Sequence, residues 1–486
     1  MMKRIAIIGG GIAGVTAAAL LAREGHSVTL CEGSREWGGS AGKFTRQSFT
    51  YPVGATLGMG FEPGGLHERV LRHLQLEIPV ELLDVVMTIK LDGRDIMYYR
   101  DRNRFIQHLK DQFTEQATAI ETFFDEIHHI ERHVRPLMQA LPALPLRTMT
   151  DAQMILKEVR SSLPLVPYLT QTIGHLLRKH RLDGTTFAQL IDGILLDSMQ
   201  TGMEASALLG AVALSIYHDG AYYVPGGLYK VAEQLKASAE QDGATVLLGR
   251  KIVSIRQTVD GFLLEDRRGR LILADEVIGA LPIEAMHELV GPSLQPTLRR
   301  TYKRQAALSQ WATFTYYAAI PETIVEDGTA FRQVHDPILP SGHAFISLSQ
   351  AGDLERAPDG CRTLTMSCHV PIDRFARDDQ GQYNDQVETM QEKFEVILEQ
   401  EFPGFQEHAI ARYPGGPGAW VRYTSRPNGG VGGYPQLPST SLFRAASFRT
   451  GIPGLYIIGD TVFPGAGTIG ATTSAIHVAR ALGVKI

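Results

Sequence analysis

The stretch "IAIIGGGIAG", Ile5 to Gly14, constrains the fold more than any other part of this 486-residue chain. Ile5 to Ile8 is a short apolar run that reads as a buried strand. Gly9, Gly11 and Gly14 then spell G-x-G-x-x-G, and "IAGVTAAALLAREG" continues as an Ala- and Leu-rich helix. "SVTLCE" predicts a second strand ending on Glu32. Strand, glycine turn, helix and strand in this order make a βαβ unit, which requires a parallel sheet. Gly9 makes the tight turn, Gly11 lets a pyrophosphate approach the backbone, and Gly14 lets helix and strand pack closely. The helix opens at Ile12 and Ala13, so its unpaired N–H groups face the phosphates. Glu32 is placed to accept hydrogen bonds from a ribose diol. A dinucleotide site is expected here.

Eighteen uncharged residues, Ile5 to Ala22, follow "KR" and superficially resemble a signal sequence or a membrane span. Three consecutive glycines argue against a continuous helix there, and nothing resembles a cleavage site. A soluble or peripheral protein is expected.

Gly465, Gly467 and Gly470 in "GDTVFPGAGTIG" repeat the glycine pattern, yet they cannot open a second dinucleotide fold. Only sixteen residues follow Gly470, enough for one helix, "ATTSAIHVARAL", but not for a helix and a returning strand. The preceding "GLYIIGD" reads as a strand. The chain therefore returns at its end to deliver a strand, a glycine turn and a helix N-terminus to the same site. Reduced isoalloxazine carries negative charge around N1 and the C2 carbonyl, which a helix dipole and free N–H groups stabilise. Gly459, Gly467, Thr468 and Ile469 are placed at the ring, and Asp460 at the ribityl hydroxyls. The two chain ends are expected to hold the two halves of one FAD. It is expected to be non-covalent, since no Cys or His adjoins the final glycines.

Length allows two or three domains. A net charge of −5 with both signs dispersed carries no basic footprint, so no nucleic-acid partner is expected. Cys31, Cys361 and Cys368 lack metal-ligand spacing and suit a reducing cytosol. "EIHHIERH" sets His129 and His133 one helical turn apart, without a third ligand, so no metal is expected. The fold class is α/β: a Rossmann-like FAD-binding domain built from residues 1–95, 217–290 and 445–486. An α+β substrate domain, residues 96–216 and 291–444, is inserted and carries a helical subdomain.

These segments carry a resemblance. "IAIIGGGIAG…CEGSREWGGSAG", "YYVPGGLYKVAEQL", "LSQAGDLERAPDG" and "GLYIIGDTVFPGAGTIG" resemble, in order, the phytoene desaturase and carotenoid isomerase family within the amine-oxidase-like flavoproteins. "GGSAGKF" and "GDTVFPGAG" look more like the isomerase branch. The resemblance implies FAD, a lipophilic polyene substrate and peripheral membrane association. It extends the cofactor set to Gly38, Gly39, Ser40, Lys43 and Val253. Ser40 stands where many relatives direct an arginine at the pyrophosphate, leaving Lys43 or Arg46 as substitutes, and Pro52 stands where relatives often have aspartate.

Removing hydrogen from an unactivated allylic C–H needs a hydride acceptor, which flavin N5 provides, while the protein orients the substrate in a dry pocket. A strong general base is dispensable, and the sequence names none. His218, Tyr434 and Phe463 are pocket candidates. Tyr222, Tyr223, Trp311 and Tyr316 line a tunnel or fill core. "SLPLVPYLTQTIGHLLRKHR" reads equally as a membrane-interface segment or a lid. Three functions remain open: a polyene oxidoreductase working by hydride transfer to or from flavin N5, whether desaturase, isomerase or saturase; a flavin amine oxidase; and a non-catalytic lipid-binding protein. A cytoplasmic location is expected, with the cytoplasmic membrane face as the alternative.

Overall fold

The computed structural model describes residues 2–306, 311–375 and 379–486. Arg4–Ile8 is the central strand of a five-stranded parallel sheet, ordered Leu455–Ile457, Glu276–Gly279, Arg4–Ile8, Ser27–Cys31, Thr245–Leu247. Parallel strands are covered on both faces, so Ile5–Ile8 can be apolar throughout. The helix Ile12–Arg23 crosses between the first two strands in chain order and is buried from Ile12 to Ala22. It packs on Tyr229–Gln241 and Gly467–Ala481. Its small side chains allow that approach, and Gly14 sets the limit: a Cβ there would lie 1.9 Å from the Gly9 carbonyl oxygen. The uncharged run thus divides between a strand and a helix. Among the described residues no helix is long and apolar enough to cross a membrane.

The second layer is a seven-stranded sheet, ordered Ala411–Gly415, Trp311–Pro321, Cys361–Pro371, His343–Leu348, Phe331–His335, Val85–Leu91, Arg94–Tyr99. All its pairs are antiparallel except Phe331–His335 with Val85–Leu91. The hairpin formed by the last two strands of this order belongs wholly to this sheet, so a boundary after residue 95 falls inside the strand Arg94–Tyr99. Alternation gives the sheet two different faces. Phe314, Tyr316, Met366, Cys368 and Ile346 pack with Phe394 and Leu398 of the helix Gln380–Glu401. Thr313, Thr315, Tyr317, Ser367 and His369 point the other way, into a large cavity. Tyr316 therefore belongs to core, its hydroxyl donating to Glu395 Oε1 at 2.6 Å.

The helices Arg102–Gln112, Ala117–Ala140, Thr186–Met199 and Ala207–Asp219 share one apolar core with Val85–Leu91. Val212, Ser215, Ile216 and Asp219 form one face of the last of these and line the cavity. His218 lies off that face, which corrects its expected place in the pocket. Its Nδ1–H donates to the Arg100 carbonyl at 2.9 Å, and its ring lies 5.4 Å from Tyr98 and 5.7 Å from Phe105. Burial lowers its pKa to about 4. The folded state thus holds His218 neutral where the unfolded chain, at about 6.5, binds a proton. Its contribution to stability is complete above pH 6.5 and is lost as pH falls towards 4, by up to about 1.4 kcal/mol per pH unit. His218→Gln is expected to flatten the decline of urea stability over that window; a slope identical to wild type contradicts this placement.

Candidate functional site

A single cavity of about 2420 Å³ runs from the carboxyl ends of the parallel strands to the polar face of the seven-stranded sheet. Both glycine turns open into it. From the N-terminal end come Gly9, Gly11, Ile12, Ala13, Glu32, Gly38, Gly39, Ser40 and Lys43; from the C-terminal end, Gly459, Asp460, Phe463, Gly467, Thr468 and Ile469. The helices starting at Ile12 and Gly467 have no side-chain cap at Gly11 or Ala466. Their first N–H groups are left for another acceptor, the arrangement that favours an anion.

Gly11 is the most telling residue. Its φ is −68°, which any residue adopts. A Cβ there would meet nothing closer than Gly39 Cα at 3.9 Å. The protein's own packing leaves room for a side chain, so the space is reserved for something else. Glu32 sits beside it: Oε2 accepts from Gly10 N and Oε1 from Ser34 N, each at 2.6 Å. Each oxygen retains capacity for a further donor. At the other end, Asp460 Oδ2 accepts from Arg426 at 2.6 Å, which fixes the carboxylate at the cavity wall. Thr468 Oγ1 lies 3.1 Å from His67 Nε2. Phe463 stacks on His477 at 6.1 Å, presenting a flat apolar surface.

Other expectations are corrected. Val253 is 42% exposed, while its neighbour Ile252 is buried and lines the cavity; in a strand, an error of one residue exchanges faces. Gly14 packs between helix and strand rather than lining the cavity. Tyr434 is buried away from it, its hydroxyl donating to Glu284 Oε1 at 2.7 Å. Lys43 reaches the cavity, but its Nζ is held by Glu233 at 3.0 Å and lies over the Tyr229 ring. Tyr222 and Tyr223 are buried, and Tyr223 donates to Asp353. Sequence reading also missed a polar group on the far wall, Asp197, Gln200 and His369. The S-x-H of "MSCHV" was a visible signal for His369 alone: polar residues alternating within an otherwise apolar strand.

The flavin-containing amine oxidoreductase family model matches residues 12–483, and the chain belongs to this family. Prolycopene isomerase 1 of an Oncidium hybrid cultivar is 25% identical over 99% of this chain and 84% of the relative. The 4,4'-diaponeurosporene oxygenase of Staphylococcus haemolyticus is 22% identical over 98% of this chain and 96% of the relative. An oxidoreductase from Methanosarcina mazei shares the fold with a TM-score of 0.65 at 16% identity, covering 98% of this chain and all of that one. A redesigned putrescine oxidase does so at 0.66 and 14%, covering both chains fully. The protein is an FAD-dependent oxidoreductase, and the open cradle at Gly11 fits that cofactor.

Gly11→Leu is expected to abolish FAD retention, read as flavin absorbance after gel filtration, with far-UV circular dichroism unchanged. A fully flavinated variant contradicts the cradle.

Proposed function

We propose that this chain holds FAD non-covalently between its two ends and acts on a long lipophilic polyene of the carotenoid type. Gly11 and the N-terminus of Ile12–Arg23 take the pyrophosphate, Glu32 the ribose, and Asp460 with Gly467, Thr468 and Ile469 the flavin half. Bound FAD supplies a hydride acceptor or donor at N5. The domains follow the two sheets, with the parallel sheet for cofactor and the seven-stranded sheet with its helices for substrate.

The size and lining of the cavity carry this reading. Its 2420 Å³ exceeds the roughly 300–1,000 Å³ of one small-molecule site. Beyond the glycine turns its walls become apolar, including Leu137, Leu165, Ile194, Leu208 and Phe345. Such a wall excludes water and orients an extended hydrocarbon. The named activities of the prolycopene isomerases and the diaponeurosporene oxygenase support the same substrate class.

Access from a bilayer has its own support. Leu156, Val159, Leu163 and Val166 are exposed, and Ile155, Leu165, Val166 and Leu169 line the cavity from the same segment. Val421, Tyr423 and Phe443 likewise combine exposure with cavity lining. Apolar side chains around a cavity mouth favour a lipid surface. We place the protein at the cytoplasmic membrane face, drawing substrate from the lipid.

The test is anaerobic incubation with polyenes in liposomes and with soluble amines. Polyene turnover that requires the liposomes, with the oxidised flavin spectrum unmoved by amines, is the expected result. Rapid bleaching by an amine transfers the assignment to amine oxidation. Offering a cis polyene to fully reduced enzyme separates the chemistries: altered geometry at constant double-bond count marks isomerisation, whereas new double bonds only after an acceptor is added mark desaturation.

A further inference from the structure

The polar group on the far wall contains an arrangement that hydride transfer does not use. Asp197 stands in the last turn of Thr186–Met199, His343 opens the strand His343–Leu348, and His369 lies in Cys361–Pro371. Asp197 Oδ1 is 2.9 Å from His343 Nε2 and 3.5 Å from His369 Nδ1, and the three residues each offer a ligand atom within 4.8 Å of the other two. Ligands around 2.0–2.2 Å from one ion stand roughly 3.0–3.6 Å apart in tetrahedral or octahedral geometry.

The outward atoms are held as well. Asp197 Oδ2 accepts from Gln333 Nε2 at 2.7 Å, and Gln333 Oε1 meets His335 Nε2 at 3.0 Å. The His343 ring also bonds the backbone of Ser341. His369 Nε2 lies 3.1 Å from the Gln200 amide. Gln200 is only 4% exposed, and its Oε1 has no partner among the described residues. With that amide turned by 180°, Oε1 accepts from His369 Nε2–H. His369 Nδ1 then keeps its lone pair and directs it at the Asp197 carboxylate. A lone pair facing a carboxylate oxygen is repulsive unless a proton or a metal cation stands between them, and in this orientation of the amide the gap of 3.5 Å matches two ligands of one ion. Ring nitrogens fixed from behind by carbonyl or carboxylate partners are the usual support of a metal site.

We propose that Asp197, His343 and His369 bind a divalent first-row transition ion, of the Zn²⁺ or Fe²⁺ class that takes two imidazoles and one carboxylate. Asp197 and His369 line the cavity, so the remaining coordination positions open towards it. No sequence spacing foretold this group: Asp197 and His343 are 146 residues apart. The site goes beyond the cofactor and substrate reading and stands independently of it. The pair His129 and His133 provides a contrast. His133 Nδ1 is turned to the His129 carbonyl at 2.7 Å, and no third ligand joins the pair among the described residues.

The test uses flavinated protein treated with a chelator and then equilibrated with Zn²⁺, with bound metal measured after gel filtration and the thermal midpoint recorded. About one Zn²⁺ per chain and a midpoint that rises with Zn²⁺ are expected. Asp197→Asn, His343→Gln and His369→Gln should each weaken Zn²⁺ binding at least about tenfold, while His129→Gln leaves it unchanged. Wild-type protein that retains no Zn²⁺ overturns the proposal, whatever the variants do. So does Zn²⁺ binding that is equal in wild type and all three variants, or that is lost in His129→Gln. If a variant fails to retain flavin, the wild-type stoichiometry and midpoint shift still decide.

Discussion

The packing of Ile12–Arg23 between Tyr229–Gln241 and Gly467–Ala481 is the contact on which the rest depends. This helix has no exposed residue between Ile12 and Ala22, and most of them are alanine, glycine or valine. Small side chains let three helices approach closely, and Leu20 and Leu21 fill what remains. Because Gly467–Ala481 joins this layer, its N-terminus opens on the same cavity as that of Ile12–Arg23. The strand Leu455–Ile457 fixes its approach by pairing with Glu276–Gly279, itself paired with Arg4–Ile8. One cavity is thereby lined by glycine turns more than four hundred residues apart in sequence.

The seven-stranded sheet serves the other half of the cavity by alternation. Phe314, Tyr316, Met366 and Val370 anchor it to Gln380–Glu401 through fully buried contacts. That anchoring frees the opposite face to carry threonine, serine and histidine. Among the polar groups of that face, Thr313 Oγ1 donates to the Cys368 carbonyl at 3.1 Å, which offsets part of the cost of its burial.

The βαβ unit beside the cavity was legible because its signals are local. Glycines at fixed offsets, a strand before them and a helix after them place Gly9, Gly11 and Gly14 without knowledge of the remainder of the chain. The C-terminal turn was legible in the same way, from the apolar strand before its glycines and the helix after them. The substrate half was not. His218 and Tyr434 were singled out as polar residues near glycine-rich segments, yet helix phase turns His218 inward and Glu284 holds Tyr434. Val253 was missed by one residue, which in a strand is a change of face. The group of Asp197, His343 and His369 depends on the pairing of strands distant in sequence, and neither composition nor spacing records that pairing.

The central claim is that both chain ends close on one FAD. Hydrogen exchange of the deflavinated protein before and after reconstitution tests it most directly. The account predicts that one FAD per chain slows exchange of the amides at residues 11–14 and 467–470 together, in proportion to flavin bound. Protection confined to the first segment, with residues 467–470 exchanging unchanged, would contradict it.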